Sequence, residues 1–239
     1  QGNPEPRWYP TSFRQGTQSG ETILLNSVGL TNPGIHEGVE YINNIRPQIP
    51  TKLFVSISGD TVDQFEEMAL IVSTSENDAL ELNLSCPNTE TGSMFSHDPK
   101  LVNSVVKAVE KQYKQPIIVK LSPNVPNIVE IAKAAVDAGA KALTICNTMP
   151  AMKINITTGK PVLGNVLGGL SGQSLKPISI ALIHQIKGAL DIPIIGVGGV
   201  FTAEDIIEYL MVGASAVQVG SANLISPQAP MNLQNELLE

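Results

Sequence analysis

From residue 53 onward, short apolar runs alternate with longer segments of helical period, and this alternation limits the available folds more than any motif does. The runs of strand character cover 53–58, 79–85, 116–121, 142–147, 193–197 and 216–220. Helix candidates fall at about 61–74, 98–112, 126–138, 174–189 and 202–211. Each strand run is apolar almost throughout, as a strand covered on both faces should be. Repeated strand–helix units of this kind give a parallel sheet with helices packed on it.

Several helix ends are written in the sequence. Asp98 before Pro99 reads as an N-cap followed by a first-turn proline, and Thr202 with Asp205 fits a capping box in which an acid replaces the usual Glu. Gly139 and Gly213 end helical patterns just before strands, where a left-handed C-cap is needed. The predicted fold class is α/β, a TIM (β/α)8 barrel. Six strand runs fall short of eight, and the first fifty residues read as turns, prolines and polar stretches rather than two more buried strands. Either the sheet is open or two strands precede Gln1; the second reading is adopted, and a start at Gln1 rather than Met agrees with it. The 239 residues, 42% hydrophobic, suffice for one barrel domain over 1–239. A Gly-rich and β-branched insertion at about 152–171 reads as a hairpin or lid.

Composition removes several classes of function. A net charge of -7 without a basic run argues against a nucleic-acid partner. The longest apolar stretches, such as 192–200, are too short and too Gly-rich for a membrane span of about 20 apolar residues. The two cysteines, Cys86 and Cys146, lack C-x-x-C spacing, so no zinc site or disulfide framework is expected. His36, His97 and His184 lack metal-ligand spacing, and no metal is expected. No secretory signal pattern stands at the N-terminus, and a reducing, cytoplasmic setting is expected.

In a barrel, residues at the C-terminal ends of the strands face one mouth. Here those ends read NLSCPN (83–88), KLSPN (120–124), Asn147 with Thr148, GVGGV (196–200) and GSAN (220–223). The last two tracts read as a phosphate cradle, because glycine lets backbone N–H groups approach an anion and the helix from about Thr202 would add its dipole. Glycine used for tight turns alone is the competing reading. NLSCPN places two amides, a hydroxyl and a thiol at one strand end and could hold and deprotonate a small polar substrate. Alternatively, Cys86 is a small buried hydrophobe. Lys120 closes an apolar strand, so its ammonium either snorkels to water or meets an anion such as a phosphate or flavin. Cys146 reads as core.

At these same residues the sequence resembles the class 1 dihydroorotate dehydrogenases. NLSCPN, IIVKLSPNV, ICNTMP, GKPVLGNVLGGLSGQSLKP, IPIIGVGGV and GASAVQVGSAN fall in the family's order, and GNPEPR with LLNSVGLTNPG is similar to its region after the second barrel strand. The resemblance implies that Cys86 is the active-site base. It implies that Asn26, Asn83, Asn88, Asn147 and Thr148 hold the dihydroorotate or orotate ring, with Gly29 and Leu30 contacting it through backbone. FMN is the implied cofactor: Lys120 would contact it, Gly198, Gly199, Gly220 and Ser221 would bind its phosphate, and Ser171 with Gly172 would line the flavin. The implied reaction takes a proton from C5 to Cys86 and a hydride from C6 to the flavin. The tract GKPVLGNVLGGLSG looks most like the NAD-linked subgroup, which works with an iron-sulfur, FAD-containing subunit around a homodimer core. Set against this are the fumarate-using subgroup, a related FMN-dependent pyrimidine-reducing barrel, a non-redox phosphate-binding lyase or isomerase using Lys120, and a non-catalytic binding domain.

Overall fold

The computed structural model describes residues 4–10, 23–85 and 94–238. In chain order the elements begin β1 (Trp8–Pro10), β2 (Ile23–Asn26), α1 (Ile35–Ile45), β3 (Phe54–Ile57), α2 (Val62–Val72), β4 (Ala79–Asn83), α3 (Pro99–Gln112), β5 (Ile117–Leu121), α4 (Ile128–Asp137) and β6 (Ala142–Ile145). They continue with β7 (Met149–Ala151), β8 (Ile154–Asn155), β9 (Lys160–Pro161), β10 (Gly168–Gly172), α5 (Lys176–Lys187), β11 (Ile194–Val197), α6 (Ala203–Met211), β12 (Ala216–Gln218), α7 (Ala222–Ile225) and α8 (Ala229–Glu236). The described residues form two compact units, one from 32–145 with 185–194, the other from the described parts of 1–31, 146–184 and 195–239.

In the first unit β3, β4, β5 and β6 pair in parallel in that order, each followed by a helix or by the chain leading to one. β4 and β5 are buried nearly throughout, as their unbroken apolar runs predict. β3 is different: Phe54 is 49% exposed, and among the described residues only β4 pairs with this strand. The helices pack α1 on α2, α2 on α3 and α3 on α4. Phe65 of α2 meets Phe95 edge-on, with centroids 5.6 Å apart and planes at 85°, and both rings are fully buried. Such a pair adds about 0.5–1.5 kcal/mol beyond the area it buries.

Side chains set the helix starts. Asp98, as the sequence predicts, accepts the N–H of Lys100 at 2.8 Å; Thr61, which accepts that of Gln64 at 3.1 Å, and Asn127, which accepts those of Val129 and Glu130, were not singled out in the sequence. Gly139 ends α4 at φ 116, with Ala140 N–H donating to Ala135 O and Gly139 N–H to Val136 O. Gly213 ends α6 at φ 109 with the same bond pair, Ala214 to Tyr209 and Gly213 to Leu210.

In the second unit β11 and β12 run parallel, with α6 between them in sequence. The six parallel strands in their strand–helix order are the α/β pattern of a TIM barrel with two strands fewer than eight. Within 152–171, β8 pairs with β9 antiparallel, and Ile156 between them is 96% exposed. The flanks of this segment do more. β7 and β10 join β1 and β2 in a separate antiparallel sheet of order β1-β2-β10-β7. Among the described residues no helix is long and apolar enough to cross a membrane.

Candidate active site

Two strand ends carry the polar residues of the first unit. The register sets Asn83 of β4 beside Lys120 of β5, and Lys120 beside Thr144 of β6, so the carboxamide and the ammonium stem share one level of the sheet. Ser58 donates to Asn83 O at 3.3 Å, and the Asn83 side chain accepts the N–H of Ser85, which fixes the start of the following loop. Lys120 is partly buried, and its ammonium makes no ion pair or hydrogen bond with another described residue. One level below, the buried carboxylate of Glu81 accepts hydroxyls from Ser56 of β3 at 3.2 Å and Thr144 at 2.8 Å. Sequence reasoning did not single out Glu81. An acidic residue inside an otherwise apolar strand was the available signal. Cys86 and Asn88 lie outside the described residues.

The second unit brings the other expected residues into two groups. In the antiparallel sheet, Gly169 of β10 pairs with Asn26 of β2 on one side and Pro150 of β7 on the other. A Cβ at Gly169 would collide with the Thr148 hydroxyl, so glycine is what lets Thr148 sit against this strand. Asn147 accepts the Thr148 N–H at 2.8 Å. After β2 the chain turns through Gly29 at φ 78 and Leu30 at φ 52, and Leu30 is one of two non-glycine residues with positive φ among the described residues. Such a conformation is rare for a residue with a Cβ.

The second group is the turn after β11. Gly198 has φ 123 and Gly199 φ 67. A Cβ on Gly199 would stand 2.9 Å from Gln173 Cα and Gly172 O, so this glycine packs its α-carbon directly on the backbone that follows Ser171. Gly220 and Ser221 follow β12. The N–H groups of Gly198, Gly199, Gly220 and Ser221 donate to no other described residue, although Gly199 is buried. A buried amide without an acceptor is uncommon.

The helix end behind this turn differs from the sequence expectation. The Asp205 carboxylate accepts the N–H groups of Phe201 at 2.8 Å and Thr202 at 2.9 Å, and the capping box is complete. An acid therefore already occupies the start of α6, and the donors left for an anion are those of the glycine turn. Burial pushes the Asp205 carboxyl up, but the Lys176 ammonium at 2.6 Å and the two backbone donors outweigh it and hold the group below its ordinary value. Lys176 also meets Glu208 at 2.6 Å.

The family model for dihydroorotate dehydrogenase matches residues 1–239. The chain belongs to the dihydroorotate dehydrogenase family. Three relatives carry the name dihydroorotate dehydrogenase B (NAD(+)), catalytic subunit. The protein of Alkaliphilus metalliredigens is 45% identical over 97% of this chain and 74% of its own. That of Bacillus pumilus is 45% identical over 95% and 71%, and that of Oceanobacillus iheyensis 42% identical over 100% and 76%. Like the rest of its family, this dihydroorotate dehydrogenase is an oxidoreductase that acts on the CH–CH group of dihydroorotate in pyrimidine synthesis.

Proposed function

We propose that this dihydroorotate dehydrogenase is an FMN-dependent catalytic subunit of the NAD-linked type. The observation that carries the cofactor assignment is buried Gly199, whose N–H donates to no other described residue. A turn of successive glycine amides suits a phosphate oxygen, and a Cβ at Gly199 would fill the close approach on which the turn depends. Gly198, Gly199, Gly220 and Ser221 hold the FMN phosphate, Ser171 and Gly172 line the flavin, and Lys120, whose ammonium pairs with no other described residue, contacts FMN.

Asn26, Asn83, Asn88, Asn147 and Thr148 hold the pyrimidine. Its ring presents both N–H donors and carbonyl acceptors, and a carboxamide answers both. Gly29 and Leu30 offer backbone to the same ring. The Cys86 thiolate removes the proton from C5 of dihydroorotate as hydride leaves C6, and the C5–C6 double bond forms. No protein side chain accepts hydride; FMN, when bound, does.

The relatives' name, a catalytic subunit linked to NAD(+), supports a partner. We assign that role to an iron-sulfur, FAD-containing subunit docked on a homodimer core in the cytoplasm. The test is to express the full reading frame that encodes this chain, denature the purified protein, and identify the released cofactor by mass. FMN at about one per chain, with orotate formed from dihydroorotate, is expected. A different flavin, or a cofactor-free protein that FMN does not activate, would overturn the reading.

A further inference from the structure

α6 rises directly from the glycine turn, and Tyr209 in its last turn folds back onto that turn. The Tyr209 ring is fully buried, and a Cβ at Gly196 would run into it. The first glycine of GVGGV thus makes room for an aromatic ring and has no need of an anion. The Tyr209 hydroxyl donates to the Gly198 carbonyl at 2.7 Å, and Ser179 of α5 hydrogen-bonds the same phenol. Burial raises the phenol's pKa well above its ordinary value, so the group remains a donor throughout the working pH range.

We propose that Tyr209 is a positioning residue for the phosphate of the flavin: by gripping the Gly198 carbonyl it aims the Gly199 amide at the anion. The inference rests on the phosphate reading given above and adds the side chain that enforces it. A trans peptide is planar, with its C=O and N–H pointing in opposite directions. Fixing the Gly198 oxygen toward α6 therefore fixes the Gly199 N–H away from it. The rest of the turn cannot swing to compensate. Gly199 is backed against Gly172 and Gln173, and beyond it the amides of Phe201 and Thr202 are tied to Asp205, itself held by Lys176. The Gly199 amide is the buried donor that this clamping leaves over. A donor held in place before the anion arrives needs no reorganisation on binding.

The test compares FMN with riboflavin, which differs only by the phosphate, in dissociation constants measured by flavin fluorescence. The full reading frame is used, with thermal unfolding of each variant as the fold control. Tyr209→Phe keeps the ring and removes the grip. It is expected to weaken FMN about tenfold while riboflavin stays within about twofold. Ser179→Ala should move the same ratio the same way by less, and it decides the matter if Tyr209→Phe does not fold. Equal weakening of both ligands, or an FMN affinity unchanged in both variants, overturns the proposal. A wild-type protein that does not prefer FMN to riboflavin contradicts the phosphate reading itself.

Discussion

The glycine turn after β11 and the ends of β4 and β5 present chemistry in opposite ways. In the turn, Tyr209, Asp205 and Lys176 make their hydrogen bonds to the protein itself, and what they leave without a described partner is backbone. At the strand ends the parallel ladder fixes the backbone, and what it sets side by side is side chain, Asn83 next to Lys120. A site made of backbone is broken by adding atoms. A site made of side chains is broken by removing them, with little harm to the fold beneath.

The largest effect belongs to the strand-end region. Cys86→Ser keeps flavin bound but slows its bleaching by dihydroorotate about 10²–10⁴-fold, the usual reach of general base catalysis; stopped-flow rates equal to wild type would refute the role. Because an unperturbed thiol has a pKa of about 8.5, the wild-type rate should also climb as pH rises from about 6 to 9, and a flat profile would mean another base.

Next comes Gly199→Ala. Left-handed φ and a Cβ 2.9 Å from neighbouring backbone cost about 1–3 kcal/mol of stability in denaturant melts, and FMN affinity falls with it. Lys120→Met sharpens the contrast. It should weaken FMN by about 2 kcal/mol in a fluorescence titration while the melting temperature of the apoprotein holds or rises, since a partly buried ammonium with no partner among the described residues is removed. Equal stability losses in these two variants would erase the distinction between the regions.

The smallest effect is acid dependence at the turn. The folded-state pKa of Asp205 lies below its ordinary 3.8, so its contribution is present above that value and lost as pH falls through the folded pKa. Wild type should exceed Asp205→Asn in stability by about 1 kcal/mol at neutral pH, and urea melts should show the gap closing in strong acid. A gap that persists there would assign it to packing.

The strand–helix alternation was legible because each run is long enough to show its period, and the caps at Asp98 and Thr202 because capping chemistry is local. The antiparallel sheet was not. Its strands are 3–5 residues long, come from distant stretches of chain, and meet through Gly168 and Gly169, whose role is visible only with Asn26 and Thr148 beside them. α1 escaped for another reason: Ile35, Val39, Ile42 and Ile45 recur at helical spacing, but the helix carries Gly38, Asn43 and Asn44, has no side-chain cap and buries no residue, so no end signal marks it. Phe54 and its strand looked buried because composition reports how apolar a run is and cannot report which strands pair with it. In the candidate site, the glycines of GVGGV were readable as one motif. That Gly196 makes room for a ring while the Gly199 N–H donates to no other described residue is visible only with Tyr209 in place, whose bond to Gly198 spans 11 residues and leaves no periodic trace.

Anaerobic titration of the flavin-loaded protein with dihydroorotate, followed by visible absorbance, bears most directly on the assignment. One equivalent of substrate per flavin should bleach the flavin band and yield orotate in equal amount. A flavin band that dihydroorotate leaves untouched in a folded, FMN-loaded protein would contradict the account.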